Sequence, residues 1–179
     1  SYAWVILAAS FMITVSCYGM RLSYSVFFKP MTEEFGWTRT MTSGAYSIST
    51  IVLGAFSIVL GWLCDRYGPR VTLTICGILS GVGIILLSNV STLWQLYLFF
   101  GIILGLGLGA YVPLVTTVSA WFDSRKGLAL GIVVAGIGLG PTIIAPIASH
   151  LISLYGWRQT YTIFGLTTCI LIVIASQFL

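Results

Sequence analysis

The sequence predicts an all-α membrane protein with six transmembrane helices, and three observations carry that prediction. Of its 179 residues 58% are hydrophobic and only 7% charged, with a mean hydropathy of +1.05. A soluble domain carries about 25% charged residues, so this chain lacks the polar surface to dissolve in water, which excludes a soluble enzyme, a disordered tail and a coiled coil. Its apolar runs are long, unbroken and contain glycine, unlike the short alternating segments of a membrane barrel. Finally, charged and turn-forming residues cut the chain into six such runs, each about as long as or longer than the roughly 20 residues that cross about 30 Å of hydrocarbon.

The first run extends from about Ala3 to Phe28 and is expected to stop at Lys29-Pro30, because proline lacks a backbone donor and disfavours helix in the residue before it. The second covers about Met41 to Leu63 and ends in the charged turn Cys64 to Arg70. The third spans about Val71 to Ser88, with the minimal connection Asn89-Val90-Ser91; the sequon in that connection lies too close to the bilayer for glycosylation. The fourth, about Leu93 to Phe122, is long, rich in glycine and contains Pro113. After Asp123-Ser124-Arg125-Lys126, the fifth runs from about Gly127 to Leu154, with interruptions expected at Pro141 and Pro146. The sixth follows Tyr155 to Arg158 and is still apolar at Leu179.

The aromatic pairs of Phe35 to Trp37 and Tyr155 to Trp157 precede even-numbered helices, which puts both at one membrane interface. The turns at Asp65 to Arg70 and Asp123 to Lys126 share the opposite side, and the basic residues Arg66, Arg70, Arg125 and Lys126 outnumber Lys29, Arg39 and Arg158. The positive-inside rule makes the first set cytoplasmic, with both chain ends on that side. The net charge of +4 is scattered over loops, so no nucleic-acid partner is expected. Cys17, Cys64, Cys76 and Cys169 form no CxxC pair, and neither a metal site nor a bound cofactor is expected. The start of the chain has no basic n-region of a signal peptide.

Gly61 to Arg70 reads GWLCDRYGPR. Gly61 would admit a close helix neighbour, Asp65 could cap the helix after the turn or pair with a base, and Gly68-Pro69 enforces a reversal. The segment resembles the loop between helices two and three of the major facilitator superfamily, GxLxDRxGxR, at Gly61, Leu63, Asp65, Arg66, Gly68 and Arg70, with Cys64 where a small residue is usual. Tyr18 to Arg39 and Ala120 to Pro141 resemble the monocarboxylate transporter branch, including bacterial lactate and oxalate carriers. The resemblance implies the N-terminal six-helix half of a twelve-helix fold, an inverted 3+3 repeat over residues 1–91 and 92–179. It implies proton-linked transport of a small carboxylate such as lactate across the inner (plasma) membrane, by alternating access against a C-terminal half. A dicarboxylate/monocarboxylate exchanger and a sensor that binds without transport are the alternatives. In that family the loop is cytoplasmic, and its Asp and Arg form a charge relay, a role the resemblance carries to Asp65, Arg66 and Arg70.

Arg21 is the one basic residue placed mid-membrane, where an ionisable group faces a watery cavity or a partner. At 100° per residue it shares a face with Thr14, Tyr18, Ser25 and, at the edge, Leu22. It could meet an anionic substrate, or pair with backbone carbonyls or helix ends to hold the bundle together. Leu22 aligns near a lysine of mammalian members and could shape the pocket. In GLGLGAYVP, Gly105 to Pro113, a nucleotide fingerprint is excluded by the apolar surroundings, leaving small residues for helix contact. Tyr111 there could bond a carboxylate or join helices, and Gly101 stands where the family often has a coupling arginine. Gly136, Gly140 and Pro141 resemble the start of the superfamily's GxxxGP motif, and Leu139 is placed on the pocket wall by resemblance. His150 reads as an incidental interfacial residue. No span interior carries Asp or Glu, which argues against an intramembrane enzyme and puts the proton site outside this chain.

Overall fold

A computed structural model describes residues 2–179, and among them every regular element is helical. Five helices are long and apolar enough to cross a membrane: α1 (Tyr2–Phe35), α2 (Arg39–Tyr67), α3 (Pro69–Leu87), α4 (Leu93–Trp121) and a last one, Lys126–Ser176. The last contains the non-helical residue Gly156 (φ 82°, ψ 162°), a left-handed φ that L side chains rarely adopt. Contacts at its two ends show that the chain reverses there. Arg158 lies beside Glu34 and Ser88, whereas Ser176 hydrogen-bonds Thr74, near the start of α3, at 2.9 Å. Lys126–Ser176 is therefore two crossings, α5 (126–155) and α6 (157–176). The Tyr2 hydroxyl donates to the Phe178 carbonyl at 2.9 Å, so both ends of the chain meet at one end of the bundle, as six crossings require.

Local chemistry explains the turns. Gly36 (φ 66°) closes α1 in the left-handed cap conformation, its N–H returning to the Thr32 carbonyl. Thr38 caps α2 by accepting from the Met41 N–H at 3.3 Å. Gly68 (φ 85°) separates α2 from α3, with Pro69 in the first helical turn, where its missing donor costs nothing. Thr92 and Gln95 form a capping box at the start of α4.

Two expectations about proline are corrected. Pro30 does not end the first helix, which bends at Ser23 and continues to Phe35. Burial outweighs the one lost hydrogen bond, since Phe27 and Met31 are fully buried and Phe27 stacks on Tyr161 at 4.0 Å. Pro141 and Pro146 do not interrupt α5 either. A membrane helix tolerates proline because neighbouring helices, side-chain hydroxyls and local backbone adjustment satisfy the carbonyls it frees. Pro113 instead follows a 3₁₀ turn at Leu108–Ala110, and the π-helical stretch Tyr97–Leu104 before it has no signature among its apolar residues.

Helices meet where glycine removes the side chain. A Cβ on Gly140 would lie 2.8 Å from the Gly19 backbone nitrogen, so α1 and α5 touch backbone to backbone. A Cβ on Gly165 would lie 2.9 Å from the Ile85 nitrogen and one on Gly81 would meet Cys169, which fixes α6 against α3. Gly101 and Gly105 of α4 receive Ile48, Ser49 and Val52 of α2. Helix α2 is otherwise peripheral. Its buried residues are Thr42, Ala45, Ser49 and Leu60, whereas Ile51 and Ile58 are 70% and 78% exposed. Gly61 departs from expectation: no atom among the described residues lies within 4 Å of an added Cβ, so it admits no close helix here.

Candidate functional site

Arg21 lies on α1 just before its bend at Ser23. It is 8% exposed. One terminal nitrogen donates to Thr50 Oγ1 of α2 at 2.6 Å, and the guanidinium carbon lies 4.7 Å from the centre of the Tyr46 ring. Its Nε is buried without a hydrogen-bond partner. The ion pair formed among the described residues joins Arg158 to Glu34 and leaves Arg21 with no carboxylate. Backbone carbonyls, the alternative partner weighed from the sequence, do not receive it among the described residues. A buried guanidinium with a free donor is thus held by one hydroxyl and one ring face, neither of which neutralises it.

Beside it, a pocket of about 360 Å³ lies between α1 and α2. Arg21, Leu22, Tyr24, Ser25 and Phe28 form one wall, and Arg39, Ser43, Tyr46 and Ser47 form the other. The wall contains two arginines and no acid. Tyr46 and Thr50 follow Arg39 and Ser43 on one face of α2 at helical spacing. That spacing was readable in RTMTSGAYSIST, yet sequence reasoning missed the α2 wall because its residues beyond Arg39 are uncharged.

Three of the expected substrate residues, Arg21, Leu22 and Ser25, meet at this pocket. Tyr18 and Tyr111 come together elsewhere, ring edge to face at 6.1 Å across α1 and α4, both half-buried. Leu139 is 46% exposed on α5 and lies on neither feature. The physical reason is the α1–α5 contact: Gly136 and Gly140 turn inward to α1, which turns Leu139 out.

At the opposite end, Asp65 lines a cavity of about 270 Å³ with Cys64, Pro69, Thr116, Trp121 and Leu179. It neither caps α3, whose first residue follows Gly68 without a side-chain bond, nor pairs with a base among the described residues. Arg66 packs over Trp62 and Tyr67 at 5.3 and 5.6 Å, and Arg70 is exposed. Gly68 supplies the reversal, Gly140 the helix crossing, and Pro141 sits within α5 beside it. The four cysteines are free, and no cluster of metal-ligating side chains occurs among the described residues.

Comparison with known proteins gives a consistent picture. The profile of the Major Facilitator Superfamily matches residues 8–179. The chain is 33% identical over 165 residues to monocarboxylate transporter 3 of Rattus norvegicus, an alignment covering 92% of this chain and 34% of the relative. It is 30% identical over 168 residues to monocarboxylate transporter 14 of Homo sapiens, covering 92% of this chain and 32% of the relative. Monocarboxylate transporter 2 of Mus musculus is 32% identical over 165 residues, again with 92% of this chain and 34% of the relative covered. The chain spans about a third of the length of these relatives.

Proposed function

The chain belongs to the Major Facilitator Superfamily, and on that premise we propose that it is the N-terminal six-helix half of a secondary active transporter for a small monocarboxylate such as lactate. One observation carries the proposal: a buried arginine without an acidic partner, its Nε unsatisfied, on the wall of a pocket between α1 and α2. A carboxylate is the complement of such a group, because it supplies both the missing charge and acceptors for the free donor. The names of the relatives support the substrate class.

In this reading the carboxylate is held by Arg21, oriented by Ser25 and flanked by Leu22 and Tyr46. Tyr18 and Tyr111 close the central side of the path, and Leu139 faces the C-terminal half. Transport proceeds by rocking this half against the other around the bound anion. Residues 1–91 and 92–179 form the two inverted repeats. Gly61, Asp65, Arg66, Gly68 and Arg70 act with the other half as the cytoplasmic charge relay, and Gly140-Pro141 form the α1–α5 pivot. A proton accompanies the anion and binds a group outside this chain, because no span interior here carries Asp or Glu. In this reading the end bearing Arg66, Arg70, Arg125 and Lys126, with both chain ends, lies on the cytoplasmic side of the plasma membrane, and the excess of basic residues there supports the orientation.

The test is uptake of labelled lactate by the intact protein in liposomes. An inward proton gradient should accelerate uptake, and unlabelled monocarboxylates should compete. Absence of carboxylate uptake or counterflow at every imposed gradient would exclude transport of this class, and uptake indifferent to the gradient would exclude the proton.

A further inference from the structure

The pocket that holds Arg21 has a second guanidinium on its wall, that of Arg39. Arg39 is the first residue of α2, directly after the Thr38 cap. It is exposed, its guanidinium carbon lies 5.9 Å from the centre of the Phe28 ring, and it has no carboxylate within ion-pair distance among the described residues. The acid Glu34 is already engaged: it accepts from Arg158 at 2.7 Å and from the Trp157 indole at 2.6 Å. Glu33 does not line the pocket.

The two arginines sit at different depths. Arg21 is level with Thr50 and Tyr46, which it contacts. Arg39 contacts Phe28, which lies seven helical residues beyond Arg21, or about 10 Å at 1.5 Å per residue. Both line one pocket, the inner one buried and the outer one exposed, so an anion arriving from solvent at the Arg39 end meets Arg39 before Arg21. The outer cation adds to the positive end of the α2 dipole, and low-dielectric walls focus that field along the pocket.

From this geometry we infer that Arg39 is the capture residue of the anion path: it attracts the carboxylate at the mouth and passes it inward to Arg21. The inference rests on the reading of the Arg21 pocket as the carboxylate path. It assigns Arg39 to the encounter and Arg21 to the bound state, so the two residues separate kinetically. Loss of the mouth charge slows entry without altering the later rocking step. It therefore acts on the apparent affinity and does so in a salt-dependent way, since the Debye length shrinks from about 30 Å at 0.01 M to about 8 Å at 0.15 M ionic strength.

The experiment measures lactate uptake by the intact protein in liposomes at low and high ionic strength, for wild type, Arg39→Gln, Arg39→Lys and Arg21→Gln. Arg39→Gln should raise KM about fivefold at low salt with the maximal rate little changed, and the difference should nearly vanish at high salt. Arg39→Lys keeps the charge and should behave as wild type, which a purely structural role of the Phe28 contact would not produce. An unchanged KM for Arg39→Gln at low salt overturns the capture role, as does Arg39→Lys failing equally. If Arg21→Gln transports with wild-type KM, the site reading itself falls, whatever Arg39 does. If wild type takes up no lactate, both fall together.

Discussion

At the residue scale, the two best-connected arginines of this chain have opposite circumstances. Arg158 is fully engaged. It reaches Glu34 at 2.7 Å, the carbonyls of Ser88 and Val90 at 3.0 and 3.1 Å, and the Trp157 ring at 4.4 Å. One side chain thereby ties the end of α1, the α3–α4 turn and the α5–α6 reversal. The ion pair is about two-fifths exposed on each side, so it contributes at most about 1 kcal/mol. The carbonyl bonds and the ring contact add more, each about 0.5–1.5 kcal/mol. Arg158→Ala should therefore lower thermal stability in detergent clearly more than Glu34→Gln. Equal effects would mean that the ion pair alone holds the three turns. Arg21, by contrast, has a hydroxyl, a ring and a free Nε. The sequence displayed Arg21 plainly, as the lone mid-membrane charge. The Glu34–Arg158 tie was legible only as two similar aromatic motifs on one side, because hydrogen-bond partners more than a hundred residues apart leave no local pattern.

At the scale of elements, glycine decides which helices touch. Gly140 faces the Gly19 backbone, whereas Gly138 two residues earlier has nothing within 4 Å of an added Cβ. Gly140→Ala should cost about 1–3 kcal/mol by overpacking a backbone contact that has no flexible side chain to move. Gly138→Ala should be neutral or slightly stabilising, through the better helix propensity of alanine. Melting temperatures of the two variants in detergent check this, and equal values would contradict the assigned α1–α5 crossing. Helix number and order were readable from apolar runs and charged turns. Helix ends were read less well, and proline is the reason: in water Pro30, Pro141 and Pro146 argue for breaks, but here the helices run on through all three, with buried aromatic contacts around Pro30. The π-helical stretch in α4 had no signal either, since Tyr97 to Leu104 reads as any apolar run.

For the whole molecule, the six crossings form a bundle whose peripheral α2 exposes a broad apolar side, and α5 and α6 are likewise weakly buried. Such surfaces are met by lipid or by another helical bundle. In the function proposed above, Arg21 is this chain's contribution to holding the substrate. The central claim is thus that one buried cation binds the carboxylate rather than holding the fold. Arg21→Gln in the intact, detergent-solubilised protein tests it most directly, by lactate affinity and melting temperature measured on the same sample. A charge-assisted hydrogen bond contributes about 1.5–3 kcal/mol, so affinity should fall about ten- to a hundredfold, while stability changes little, because losing the Thr50 and Tyr46 contacts is offset by removing a buried charge that no carboxylate neutralises. Unchanged affinity together with a large drop in melting temperature would contradict the claim and make Arg21 a structural residue.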